Sequence, residues 1–266
     1  RSHEKGIYLL GLTDLAVEHA VWDFLHRLGY RQYFPGSHWE VIPRQNTLQI
    51  NLNVIEAPDY QNRVIWYGFG PWDYAAEPYR RWCQRNRATS GMALKTGHSY
   101  GQFIRNNQAE FDAHPEYYAY VDGRRDVRAQ AKFCISNAGL QKLIVDSSLR
   151  YFAENPEADS ISLDPSDGGG WCECEACQKM GSISDRALTL ANQVAAAINQ
   201  PQADGDTRQK YVGMYAYAYH SPPPAIKVHP NVIISVATGF LRGGHTLDDI
   251  ISGWSEQGAR IGIREY

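Results

Sequence analysis

The first thing the chain lacks is a long apolar run. No stretch approaches the roughly 18–20 residues that a bilayer-spanning helix needs, so no membrane span is expected. No signal peptide is visible. The opening Arg1-Ser2-His3-Glu4-Lys5 does not look like a natural start. A periplasmic or secreted location is expected if a leader is removed, and a cytoplasmic one otherwise. Positive charge is not in excess: 26 Lys and Arg face 29 Asp and Glu, a net charge of −3. That leaves no electrostatic footprint for a nucleic-acid partner. No Gly-x-Gly-x-x-Gly and no Walker-type loop follows any apolar run, which weakens a nucleotide-binding reading.

Aromatic residues, by contrast, are abundant. The 266 residues include 7 Trp and 17 Tyr, and the aromatic fraction is 12%. Flat rings suit sugar faces, although most rings in any protein serve the core or an interface. Hydrophobic residues make up 43%, enough for a substantial core. The length fits one large domain, or one domain with a small companion.

Residues 1–52 read as a small α/β domain. Gly6-Ile7-Tyr8-Leu9-Leu10 is a short apolar strand, and Thr13 or Asp14 can cap a helix. Val17, Val21, Phe24, Leu25 and Leu28 share one face of that helix, and Gly29 stands where a helix would end. Tyr33-Phe34-Pro35-Gly36 is a turn. Val41-Ile42-Pro43 and Thr47–Leu52 read as an edge strand pair.

Residues 53–266 change rhythm. Seven apolar or β-branched runs recur: Val64–Phe69, Met92–Thr96, Lys132–Ser136, Ser160–Leu163, Tyr211–Tyr217, Val232–Ala237 and Ile261–Arg264. Helical patterns lie between several of them, notably Ala138–Phe152 and Asp185–Ile198. Strands alternating with helices imply a parallel sheet. The expected fold class is therefore α/β, a TIM-like (β/α) barrel. It is incomplete, because a closed barrel of this kind has eight strands.

Such barrels place their sites at the C-terminal strand ends. Tyr67 lies at the end of the first run, His98 follows the second and Asn137 the third. Asp164, Asp167 and Trp171 follow the fourth, Tyr217 ends the fifth and Glu265 follows the seventh. Glycoside hydrolysis uses two carboxyl groups, or one with a helper when the substrate's own acetamido attacks. Asp164, Asp167 and Glu265 are the candidate catalytic carboxylates. Asp167 is the first choice for the proton donor or its direct helper, because Gly168-Gly169-Gly170 beside it lets a ligand approach. His98, Trp171, Tyr217, Tyr67 and Asn137 are the candidate substrate contacts. The simpler reading makes Asp164 a loop cap, Asp167 a turn residue and His98 a solvated side chain. His114–Arg125 reads as a hairpin about Asp122-Gly123 that covers the barrel end.

Cys172, Cys174 and Cys177 fall within six residues, and Cys134 can join them as a fourth ligand. Close thiols suit a soft metal such as zinc in a structural role. A disulfide and free buried thiols remain open. No cofactor is needed for the chemistry itself.

Several segments resemble a known family. Phe24–Gly29 with Phe34-Pro35-Gly36, His114–Tyr118, Glu265-Tyr266 and above all Leu163–Cys174 are similar to the DUF4838 group, which overlaps glycoside hydrolase family 163. The resemblance implies a small α/β domain before a catalytic barrel, as in hexosaminidases and α-glucuronidases. It also implies a glycan substrate and retaining cleavage of N-acetylhexosamine-containing chains, assisted by the acetamido group. Two alternatives stand beside it. One is a non-catalytic carbohydrate-binding barrel; the other is an α-glucuronidase-like hydrolase of uronic-acid-containing glycans.

Overall fold

The structure is a computed structural model that describes residues 2–3, 6–65, 73–89, 91–200 and 208–266. It divides into two compact units, Arg1–Met92 and Ala93–Tyr266.

The first unit opens with an antiparallel pair, β1 (Ser2–His3) and β2 (Gly6–Ile7). Helix α1 (Asp14–Arg27) follows, and the Thr13 side chain accepts from the Ala16 N–H at its start. Gly29 adopts φ +95° just past its end, the left-handed position that glycine fills without a Cβ clash. A second antiparallel pair is β3 (Arg31–Gln32) with β4 (Glu40–Val41). Thr47–Leu52 forms no strand.

Helix α2 (Asp73–Arg85) completes this unit, and it explains why the division falls at residue 92 and not at 52. The Arg85 guanidinium donates to the Tyr30 hydroxyl at 3.0 Å and to Glu40 at 2.9 Å. Trp82 Nε1 and Asn86 Nδ2 both donate to the Gln32 carbonyl at 3.1 Å. Polar contacts thus tie residues 82–86 back to residues 30–40, well upstream of the expected boundary.

The second unit begins with α3 (Tyr100–Asn106) and α4 (Gln108–Ala113). The expected hairpin is present: β5 (Tyr120–Val121) pairs with β6 (Arg124–Arg125) across Asp122 and Gly123. Both turn residues have positive φ, 47° and 79°, as a two-residue type I′ turn requires.

Then come α5 (Ala138–Glu154), β7 (Ser160–Ser162), α6 (Glu175–Lys179), α7 (Ile183–Ile198), β8 (Tyr211–Ala216), β9 (Val232–Ala237), α8 (Leu247–Glu256) and β10 (Arg260–Arg264). The four strands form one parallel sheet in the order β10-β9-β8-β7. All six residues of β9 are buried, as expected of a parallel strand covered on both faces. The core gathers Val212, Met214, Ile234 and Val236 from the sheet with Leu140 and Ile144 of α5, Leu188 and Ala191 of α7, and Trp254 of α8. The connection between β8 and β9 carries Pro222–Pro224 and no α-helix. Proline lacks the N–H that a helix interior needs.

Four of the seven expected strands are therefore found, and the fold is mixed α/β with a parallel sheet. Two expected strands stay outside the ladder for visible reasons. Residues 93–98 run beside β7, yet their backbone bonds go largely to side chains. Lys95 N donates to Ser160 Oγ, and Ser160 and Ser162 donate to the Ala93 and Gly97 carbonyls. Only His98 bridges directly, parallel to Asp164. Residues 132–136 pair with the hairpin approach instead: Ala119 N donates to Lys132 O, and Cys134 N to Tyr117 O. In the remaining run, Val64 and Ile65 are not in a strand, and residues 66–69, Tyr67 included, lie outside the described residues.

Candidate functional site

The C-terminal ends of β7–β10 carry a continuous group of polar and aromatic side chains. The chain leaves β7 through Leu163-Asp164-Pro165-Ser166-Asp167, and the two acids take opposite environments.

Asp164 is fully buried. Its Oδ1 accepts from Tyr215 N at 2.6 Å and its Oδ2 from Gly97 N at 2.9 Å. Its own carbonyl accepts from Ser99 N at 2.9 Å. One side chain thus fastens the end of β7 to β8 and to the segment before α3. Burial pushes its carboxyl up to about 7, against the two N–H bonds and the charge of Arg264. Both oxygens of Asp164 are thus engaged by backbone.

Asp167 is exposed. Its Oδ1 accepts from Gly168 N at 2.7 Å and lies 3.9 Å from His98 Nε2. The other nitrogen of His98 lies 2.7 Å from the Pro165 carbonyl. A hydrogen bond there makes Nδ1 the donor and turns Nε2 toward Asp167. Tyr217, next after β8, stands 5.8 Å from the His98 ring. Burial and then the Asp167 charge push its phenol up, so it remains a neutral hydroxyl.

Aromatic rings extend the group across the sheet. Tyr217 lies 5.5 Å from Phe240, which follows β9, and 6.4 Å from Tyr266, which follows β10. Phe240 and Tyr266 meet edge to face at 5.4 Å, and both are exposed. Arg264 stacks over the rings of Tyr215 and Tyr266. Among the described residues, four non-glycines have left-handed φ, and two of them, Ala218 and Phe240, sit on this rim. Such strain concentrates where a backbone is held for a purpose.

Beneath the loop lies Lys132, whose ammonium donates to the carbonyls of Ser166 at 2.6 Å, Asp167 at 3.2 Å and Gly168 at 2.8 Å. It also stands 5.1 Å over the Trp171 ring. Burial pushes Lys132 down to about 8. The buried His220 packs on Trp171 at 5.7 Å, with its Nε2 4.0 Å from Asp164 Oδ1. Burial, then the charges of Lys132 and His98, push it down to about 3, so it is neutral.

Of the expected site residues, Asp167, His98 and Tyr217 come together, and Asp164 and Trp171 lie below and behind them. Glu265 is exposed after β10, next in the chain to Tyr266. Asn137 is engaged elsewhere, because its Oδ1 accepts from Leu140 N at 3.0 Å and caps α5. Lys132 is not among the expected site residues. The one signal for it is a lone lysine inside the apolar run Ala131–Ile135.

The four cysteines also converge. The sulfurs of Cys134, Cys172, Cys174 and Cys177 all lie within 4.8 Å of one another, and none forms a disulfide.

No match is found among curated proteins. A solved structure, the β-N-acetylhexosaminidase from Bacteroides fragilis, is similar at a TM-score of 0.42 and 14% identity. The similarity covers 71% of this chain and 35% of that one. The chain thus spans about a third of the protein it matches. No described helix is long and apolar enough to cross a membrane. The family model for DUF4838, a domain of unknown function, matches residues 34–266, and the chain belongs to that family.

Proposed function

We propose that the second unit carries the site of a glycoside hydrolase that cleaves N-acetylhexosamine-containing glycans with retention, assisted by the substrate's acetamido group. On this reading the four-stranded sheet is part of a (β/α) barrel. One observation carries the proposal. At the C-terminal rim of a parallel sheet, the exposed Asp167 carboxylate lies beside His98 and Tyr217, and the open rings of Phe240 and Tyr266 continue the surface.

The chemistry follows from that arrangement. The apolar face of a sugar ring stacks on Tyr266 and Phe240. Asp167 accepts a hydrogen bond from the acetamido N–H and balances the positive charge that develops as the acetamido oxygen attacks the anomeric carbon. Glu265, exposed at the same rim, is the candidate to protonate the leaving oxygen. Tyr217 holds the Asp167 carboxylate in place, His98 packs beside both, and Asp164 holds the strand ends beneath.

The test is a glycan-library screen of the full-length protein, followed by Asp167→Asn. Turnover should fall at least about a hundredfold, the scale of general acid–base and charge-stabilising groups, with glycan binding retained. Near-normal turnover would remove Asp167 from this role. Glycan binding with no turnover in the unaltered protein would make the unit a carbohydrate-binding module.

A further inference from the structure

Cys134 lies on the segment that pairs with residues 117–119. Cys172 and Cys174 lie on the loop after β7, and Cys177 lies in α6. Their sulfurs converge, with Cys134 3.7 Å from Cys174 and 3.9 Å from Cys177. Four thiolates at about 2.3 Å from a tetrahedral zinc stand about 3.8 Å apart, from the geometry of the tetrahedron. The spacing therefore leaves room for an ion at the centre, and it is too long for any S–S bond, which is about 2.05 Å.

The surroundings favour thiolates. Backbone N–H groups donate to three of the four sulfurs: Tyr120 N to Cys172 at 3.3 Å, Ser136 N to Cys177 at 3.4 Å and Cys177 N to Cys174 at 3.4 Å. Such outer bonds hold ligands in orientation and offset their charge. The Arg125 guanidinium lies close enough to interact with Cys134, Cys172 and Cys174. No His or carboxylate joins the set among the described residues. A closed set of four sulfurs leaves no open coordination position for a substrate or water, so its role is structural.

We infer that Cys134, Cys172, Cys174 and Cys177 bind one zinc ion that locks the 117–125 hairpin and the loop after β7 into a single body. Three elements meet at the ion. The hairpin strand β5 lies over the cluster, where Tyr120 accepts from Glu173 N at 2.7 Å and Asp122 N donates to Glu173 at 3.0 Å. Cys134 stands two residues from Lys132, whose ammonium holds the carbonyls of residues 166–168. Cys172 adjoins Trp171, on which that ammonium rests. The ion is thus one short step from the Asp167 loop on both of its sides. This inference does not depend on the glycosidase reading, because its readouts are metal content and thiol chemistry.

The experiment takes the full-length protein purified without chelator. Elemental analysis should give one zinc ion per chain. Exchange of the unaltered protein with Co2+ should give thiolate-to-metal charge transfer in the near ultraviolet and the strong visible bands of a tetrahedral sulfur site. Among the five cysteines of residues 1–266, native thiol labelling read by peptide mass should find only Cys83 reactive, and after chelation all five. Cys172→Ser and Cys177→Ser should each reduce bound zinc to a small fraction of that of the unaltered protein. If either variant fails to fold, the cobalt spectrum and thiol count of the unaltered protein still decide the matter. Five reactive thiols in native protein with no bound metal would overturn the inference, as would disulfides found by mass among these four cysteines.

Discussion

Asp164 accepts a hydrogen bond from the backbone N–H of Tyr215 at 2.6 Å, joining the end of β7 to the C-terminal end of β8. The contact is wholly buried, and it sets the height of the rim on which Asp167 and Tyr217 stand.

A pH dependence follows from that burial. The Asp164 carboxyl lies at about 7 in the folded chain, against an ordinary value of 3.8. Between these values the folded state holds more protons than the unfolded one, so this group's contribution to stability falls as pH rises. Unfolding free energies from denaturant titration should therefore show the advantage of the unaltered protein over Asp164→Asn shrinking from about pH 4 to about pH 7. An advantage that grows over that window would mean that the N–H bonds of Tyr215 and Gly97 outweigh burial.

Lys132→Met should destabilise the fold by about 2–4 kcal/mol. It strips three carbonyls of a shared donor, and each buried polar group left unpaired costs about 1–3 kcal/mol before relaxation. Amide exchange should quicken at residues 166–170 and stay unchanged in the middle of α5. Uniform quickening across both would show that Lys132 supports the whole core and not this loop in particular.

Gly213→Ala tests the close passage of residues 93–97 over β8. A Cβ at Gly213 would stand 2.1 Å from the Lys95 carbonyl oxygen. Backbone on both sides can relieve that only by moving apart. Overpacking of this kind costs about 1–3 kcal/mol or more, so the thermal midpoint should drop clearly. An unchanged midpoint would mean that the segment is not held against β8.

The aromatic rim predicts a binding effect. If the proposed glycosidase reading holds, Tyr266→Ala and Phe240→Ala should each raise KM for the glycan severalfold to about tenfold, since an aromatic contact is worth about 0.5–1.5 kcal/mol beyond its area. kcat should change less, because on that reading both rings stack on the sugar and take no part in proton transfer. A fall in kcat at constant KM would place these rings at the reacting centre.

The sequence makes the helices and the central strands legible, and the reason is periodicity. Leu140, Ile144 and Phe152 recur at helical spacing on α5, and β9 is an unbroken buried run. The expected cap at Thr13 and the hairpin at Asp122-Gly123 rest on local side-chain and φ preferences, and both are found. Residues 92–96 and 132–136 have the composition of strands, but composition does not reveal hydrogen-bond partners. Ser160, Ser162 and the 117–119 segment claim those bonds. At the site, Asp167, His98 and Tyr217 are legible because each follows a strand or strand-like run. Lys132 is not, because its meaning lies in three carbonyls more than thirty residues away.

The chain order of β7, β8, β9 and β10 in the sheet has a consequence for how such a surface can diversify. Asp167, Tyr217, Phe240 and Tyr266 each leave from a different strand, and no two share a loop. Lengthening or exchanging one loop would redraw one sector of the rim and leave the remaining sectors and the buried ladder untouched. The sheet acts as a chassis with independently replaceable fittings, and relatives with different rim chemistry would be expected to differ one loop at a time.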